Sequence, residues 1–182
     1  MRHINIIRSI LLIVSIFLIT SCSNNSAMKP EDFKNKEPRL IIEEYLSGNV
    51  KAWGVLQNRS GKVTRQFSAD LDGTWDGKQL ILKEKFNWDD GEVQDREWTI
   101  TKIDEHNYEG TAGDVVGKAI GYSYGPAFKF EYVLLVPVKG KELKITFDDW
   151  IFKQDERVAI NRATMTKFGF KVAELTVVFV KD

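Results

Sequence analysis

The stretch Gln79–Ile103, QLILKEKFNWDDGEVQDREWTITKI, decides how this chain folds. Two runs of alternating apolar and polar residues flank Asp89-Asp90-Gly91. A three-residue loop with Gly in last place suits a hairpin built on a type I turn and a G1 bulge. Such a loop sets Trp88 opposite Glu92. Counting back, Phe86 faces Gln94, Glu84 faces Arg96, Leu82 faces Trp98 and Leu80 faces Ile100, all on the more apolar face. Glu84 and Arg96 are therefore expected opposite each other on the inner side of a sheet.

The same grammar extends in both directions. Arg59-Ser60-Gly61 joins Val50–Asn58 to Lys62–Leu71. The same count pairs Trp53 with Phe67 and Val55 with Arg65, on a face continued by Ala69 and Leu71. Further strands are expected over Asn107–Tyr124, Ala127–Val138, Glu142–Lys153, Arg157–Phe168 and Phe170–Lys181. A short helix fits Pro38–Gly48, with Gly48 as its stop. The sequence predicts an all-β fold, an antiparallel up-and-down, lipocalin-like barrel of about eight to ten strands, because closure removes the edges of a long meander. A β-sandwich is the alternative. Five glycines lie in Gly110–Gly125, where they mark either a bend of the wall or a strip of close ligand contact.

Phe147–Gly169, FDDWIFKQDERVAINRATMTKFG, reads as a further hairpin. Alternation along Leu143, Ile145, Phe147, Asp149 and Ile151 turns Asp149 inward and Asp148 outward, so the two carboxylates do not form a side-by-side pair. The next strand brings Arg162 or Asn161 near Asp149, depending on the turn length. The expected interior is thus aromatic and aliphatic, lined by Trp53, Phe67, Phe86, Trp98 and Phe147. The charged residues Arg65, Glu84, Arg96, Asp149 and Arg162 are set into it. Unpaired buried charges are costly, so these either fix strand register as ion pairs or line a hydrated cavity that holds a polar head.

The N-terminus speaks of location. Arg2 and Arg8 precede a nearly unbroken apolar run from Ile10 to Ile19, the layout of an export signal. Ile19-Thr20-Ser21-Cys22 then resembles the lipobox of bacterial lipoproteins, in which the Cys is diacylated and becomes the mature N-terminus. The expected division is a signal peptide at 1–21, a lipid-anchored tether at 22–37 and the barrel at 38–182. Cys22 is the only cysteine, so no intramolecular disulfide can form. Acyl chains such as palmitate would hold the protein to a membrane. Under the sorting rule of Gram-negative lipoproteins, Ser23 after the Cys points to the outer membrane, at its periplasmic face.

Residues 1–21 carry two of the 26 basic side chains and none of the 26 acidic ones, so the remainder has a net charge of −2. That offers no electrostatic case for nucleic acid. His3 lies in the signal and leaves His106 alone, which weighs against a His-dependent active site or a multi-His metal site. Neither a metal, a cofactor nor a catalytic set is assigned from the sequence. Gly121-Tyr122-Ser123-Tyr124-Gly125 has the spelling of a nucleophile elbow but neither a following helix nor a convincing His, and reads as a strand bend.

Ala52-Trp53-Gly54 with Arg59–Val63, then Gly73-Thr74-Trp75-Asp76-Gly77, then Phe147-Asp148-Asp149-Trp150 through Asn161-Arg162-Ala163 to Lys167-Phe168-Gly169 resemble a family of bacterial envelope lipoproteins known as a domain of unknown function. That family implies no catalytic residues. A wider, architectural resemblance is to lipocalin-like barrels that bind small ligands, some with the same kind of anchor. The function this implies is non-enzymatic binding or carriage of a lipid such as a fatty acid or phospholipid, at the periplasmic side of the envelope. The alternatives are an enzyme acting on lipid through Glu84, Asp148 or Asp149, and a scaffold that binds another protein.

Overall fold

Ten antiparallel strands close on themselves in a computed structural model, which describes residues 27–138 and 140–182. They are β1 (Gly48–Asn58), β2 (Val63–Trp75), β3 (Gln79–Trp88), β4 (Val93–Lys102), β5 (Asn107–Ala112), β6 (Ala119–Tyr124), β7 (Ala127–Val138), β8 (Lys141–Lys153), β9 (Val158–Lys167) and β10 (Phe170–Lys181). Each pairs with its sequence neighbours, and β10 returns to β1, which makes the expected up-and-down barrel. The signal expected at 1–21 and the acylation expected at Cys22 fall outside the described residues.

The β3–β4 hairpin has the register read from its loop: Leu80 faces Ile100, Leu82 faces Trp98, Glu84 faces Arg96 and Phe86 faces Gln94. The β1–β2 hairpin departs from expectation. It begins as predicted, with Gln57 opposite Val63, but Arg65 then faces Leu56 because Thr64 is an extra residue. The Thr64 hydroxyl donates to Leu56 O at 3.1 Å, which helps to satisfy the bulge. One inserted residue turns the rest of β1 over. Gly54 rather than Val55 or Trp53 faces the Phe67 side, and Trp53 stands opposite Ser68 on the outer wall, half exposed. Val50 and Ala52 take the inner positions and are buried.

The barrel has a floor at one end and hairpin tips at the other. The helix expected over Pro38–Gly48 is reduced to one turn, α1 (Ile42–Tyr45). Its residues Ile42 and Tyr45, with Leu40 and Leu46 beside them, are buried in the floor. Removing each such side chain from water contributes about 1.5–3 kcal/mol. Polar ties hold the floor in place. The buried Glu43 accepts from Lys102 Nζ at 2.5 Å and from Tyr108 Oη at 2.9 Å. Ahead of it, Pro30–Phe33 form a 3₁₀ turn, and Phe33 packs on Trp150 and Phe152.

The glycine-rich stretch divides: Gly113, Gly117 and Gly125 lie in the turns on either side of β6, and the other two lie within strands. Gly110 and Gly121 sit beneath Phe130 and Phe128, where a Cβ would collide with the rings. Their missing side chains let inward aromatics from β7 lie flat against β5 and β6. Ser123 of the elbow-like stretch is an ordinary strand residue whose hydroxyl donates to Leu40 O at 3.0 Å.

Candidate functional site: the barrel lumen

A cavity of about 440 Å³ occupies the lumen, from Leu46 and Ile100 near the floor to Arg65, Glu92 and Pro137 near the hairpin tips. Its walls are mainly the inward residues of β2–β4 and β7–β10, among them Phe67, Phe86, Trp98, Phe130, Leu134 and Phe147. The aromatic rings brace one another: Trp98 meets Tyr132 edge-on at 5.3 Å, and Tyr132 stacks on Phe147 at 5.0 Å. Four of the five expected apolar lining residues are there, and Trp53 is excluded by the bulge.

Polar groups enter this lining at two places. On β3 and β4, Arg96 Nε and Nη2 donate to Asp114 Oδ2 at 3.1 and 2.9 Å. Glu84 Oε2 lies 3.9 Å from Arg96 Nη1, within ion-pair range but too far for a hydrogen bond. That oxygen is fully buried and has no hydrogen-bond partner, and neither has Asp114 Oδ1. The Glu84 side chain is 12% exposed. Burial pushes its carboxyl up to about 7, against the pull of Arg96 and with a further push from Asp149 and Asp114.

The second polar group centres on Asp149. Tyr132 Oη donates to its Oδ2 at 2.8 Å, and Asn161 Nδ2 donates to its Oδ1. Burial raises Asp149 to about 6, although the bonds from Asn161 and Tyr132 hold it down. Asn161, not Arg162, is the partner that β9 supplies. Arg162 stands opposite Trp150 on the outer wall, where Nε donates to Glu174 at 2.6 Å. Its assignment to the lumen is corrected by the register. Arg65 does face the lumen side, but at the mouth: it covers the Trp88 ring and pairs with Asp90 and Glu92 at 2.7 and 2.8 Å.

Two members of these polar groups escaped the sequence reading. Asp114 lies in the β5–β6 loop, which folds along β7 through Val116 N to Val133 O and Leu135 N to Asp114 O. Nothing in a Gly-rich loop announces that placement. Tyr132 was within reach, since alternation along β7 puts it on one face with Phe128 and Phe130. His106 lies near the floor, stacked on Tyr124 at 4.1 Å. Among the described residues no cluster of His, Cys, Asp and Glu is arranged to hold a metal ion.

A family model described as "Protein of unknown function (DUF3833)" matches residues 16–181. The chain belongs to the DUF3833 family. No curated protein matches this DUF3833 chain. Its fold is similar to that of the S-type phycobiliprotein lyase CpeS from Guillardia theta, with a TM-score of 0.57 and 11% identity over 77% of this chain and 90% of that one. It is also similar to a protein of unknown function from the DUF3598 family of Nostoc punctiforme, with a TM-score of 0.60 and 16% identity over 81% of this chain. There the DUF3833 chain spans 51% of the other protein's length. At these identities the likeness is one of fold.

Proposed function

We propose that the protein binds a lipid or fatty-acyl ligand inside its barrel. We further propose that it does so as a lipoprotein, held by acyl chains on Cys22 at the periplasmic face of the bacterial outer membrane. The observation that carries the binding reading is the 440 Å³ lumen, a volume in the range of small-molecule sites. Its apolar walls suit an acyl chain. The Glu84–Arg96–Asp114 and Tyr132–Asp149–Asn161 groups offer donors and acceptors to a polar head. The outer wall supports a barrel standing in water rather than one spanning a bilayer. Asp70, Asp72, Lys83, Lys85, Asp95 and Glu97 project from β2–β4, where a spanning strand would present apolar side chains.

Native mass spectrometry of the purified full chain with fatty acids and phospholipids tests binding. One ligand per chain is expected, and it should be lost on filling the lumen by Leu134→Trp. A variant that folds with a filled lumen yet binds equally well would move the ligand elsewhere. Radiolabelled palmitate incorporated by the wild type and not by Cys22→Ser tests the anchor.

A second reading is acid–base chemistry on the bound lipid. It rests on Glu84 and Asp149, whose carboxyls are both raised towards neutrality. If it holds, Glu84→Gln and Asp149→Asn retain ligand while losing turnover.

A further inference from the structure

Charge is unevenly spread around this barrel, and its exposed aromatic side chains, Trp53, Phe168 and Phe170, lie on one side of it. On β1, β9, β10 and the Arg59–Lys62 and Phe168–Gly169 tips stand Lys51, Arg59, Lys62, Arg162, Lys167, Lys171 and Lys181, against the single acid Glu174, while Asp155 and Glu156 lie in the β8–β9 turn at the floor end. That acid is itself buried, and it accepts from both Arg162 and Lys171. The adjoining wall, β2–β4, projects four carboxylates and two lysines. A chain with no net charge overall therefore carries a cationic side.

The same side bears a band of outward apolar residues. Trp53 on β1 is directly opposite Val178 on β10, which is opposite Ile160 on β9. Their neighbours Ala52, Val177 and Ala159 point inward and are buried, so these three project from the wall. At the tip of the β9–β10 hairpin, Phe168 and Phe170 are 88% and 69% exposed. Phe168 also has φ 53°, the only positive φ outside glycine among the described residues. The two-residue loop Phe168-Gly169 has φ positive at both positions, as a type I′ turn requires, and it holds the Phe168 ring out from the barrel. Lys167 Nζ lies over its ring at 5.3 Å, so aromatic surface and positive charge are presented together.

We propose that the β9–β10 hairpin and the β1–β10–β9 wall form the face on which this protein lies against an anionic lipid bilayer. Aromatic rings flanked by lysine and arginine match the interface between acyl chains and acidic head groups. Each cation near such a surface contributes about 1 kcal/mol, and the effect is screened by salt. The hairpin tip stands at the open end of the lumen, so docking there sets the cavity mouth beside the bilayer. The proposal stands whether or not the lumen carries a lipid.

Hydrogen exchange on the full chain, with and without vesicles of phosphatidylcholine and phosphatidylglycerol, tests it. Amides of Phe168–Phe170 and Arg59–Gly61 should exchange about ten-fold more slowly on the mixed vesicles, in line with one or two cations' worth of attraction. Those of Asp89–Gly91, on the acidic side, should not change. High salt and the double variant Phe168→Ser, Phe170→Ser should each remove the protection while the strand amides stay protected. Because the comparison is between two sides of one molecule, an acyl anchor does not obscure it. Equal protection of both sides, protection of the acidic side alone, or none at all overturns the proposal. Slowing that appears at high protein concentration without vesicles overturns it too, in favour of a second copy of the chain.

Discussion

Asn161 Nδ2 donates to both Asp149 Oδ1 and Trp150 O, so one amide ties the lumen carboxylate of β8 to the β8 backbone from the neighbouring strand. Asn161 is buried, and Tyr132 completes the shell around Asp149 from β7. Three adjacent strands are thus locked in register by one polar cluster inside an apolar barrel. Exchanging the amide for an isosteric hydrocarbon, Asn161→Leu, leaves a carboxylate oxygen and a carbonyl without their donor. The expected cost is about 1–3 kcal/mol, read as a lower urea midpoint with an unchanged slope.

Arg162→Ala is the matching control. Register places it on the outer wall with Glu174, which still accepts from Lys171 when the guanidinium is gone. A change within about 1 kcal/mol is expected, because the guanidinium itself is largely exposed and Glu174 keeps its other cation. A loss as large as that of Asn161→Leu would mean that the strand is turned over.

The raised carboxyls make stability depend on pH in a definite direction. Glu84 keeps its proton to about 7 in the folded chain against 4.5 ordinarily, and Asp149 to about 6 against 3.8. Between the lower and upper values the folded state binds more protons than the unfolded one, so stability falls as pH rises. Moving one carboxyl by this much corresponds to about 3 kcal/mol. Urea midpoints should therefore decline from pH 5 to pH 8. Glu84→Gln should remove the upper part of the decline, and with Asp149→Asn the curve should flatten. A midpoint that rises over this range would contradict the burial of both groups.

What could be read from the sequence divides along physical lines. The positions of most strands and the β3–β4 register followed from alternation and from the Gly-closed loop, because both are local, although β2 runs on to Trp75 and Asn107–Tyr124 divides into β5 and β6. The inward Glu84, Arg96 and Asp149 followed from the same counts. Trp53 did not, because a bulge is set by whether one extra residue can find a hydrogen bond, here Thr64 to Leu56 O. That choice depends on the partner strand. Asp114 was out of reach for a related reason: its place is fixed by the β5–β6 loop lying along β7, a contact between segments that no periodicity encodes. Arg162 and Asn161 were separable only once the β8–β9 register was known.

The bulge itself is testable through Gly54 and Trp53. Gly54 faces Phe67, and a Cβ there would collide with the ring. Gly54→Val should lower the thermal midpoint through overpacking that costs about 1–3 kcal/mol. Trp53→Ser, next to it but on the outer wall, should stay within about 1 kcal/mol of wild type. The order would reverse if Trp53 rather than Gly54 faced the lumen.

The floor hangs on Lys181. Its Nζ donates to Glu44 O at 2.8 Å, Tyr45 O at 2.9 Å and Ser47 O at 2.6 Å, which satisfies carbonyls at the end of α1. Burial lowers the lysine's pKa although Glu44 opposes the shift, as expected of an ammonium drawn from water onto backbone oxygens. Tyr45 adds a second tie, donating to Arg157 O at 2.9 Å. Helix α1 is a single turn and too short to persist alone, so these bonds and its buried side chains hold it in place. Lys181→Met keeps the length and apolar stem but strips all three carbonyls of their donor. Stability should fall by about 1–3 kcal/mol. The sharper readout is hydrogen exchange, which should quicken across residues 40–47 and leave the β3–β4 hairpin untouched, because the floor would open without the barrel unfolding. Uniform acceleration over all ten strands would instead show that floor and wall unfold as one unit.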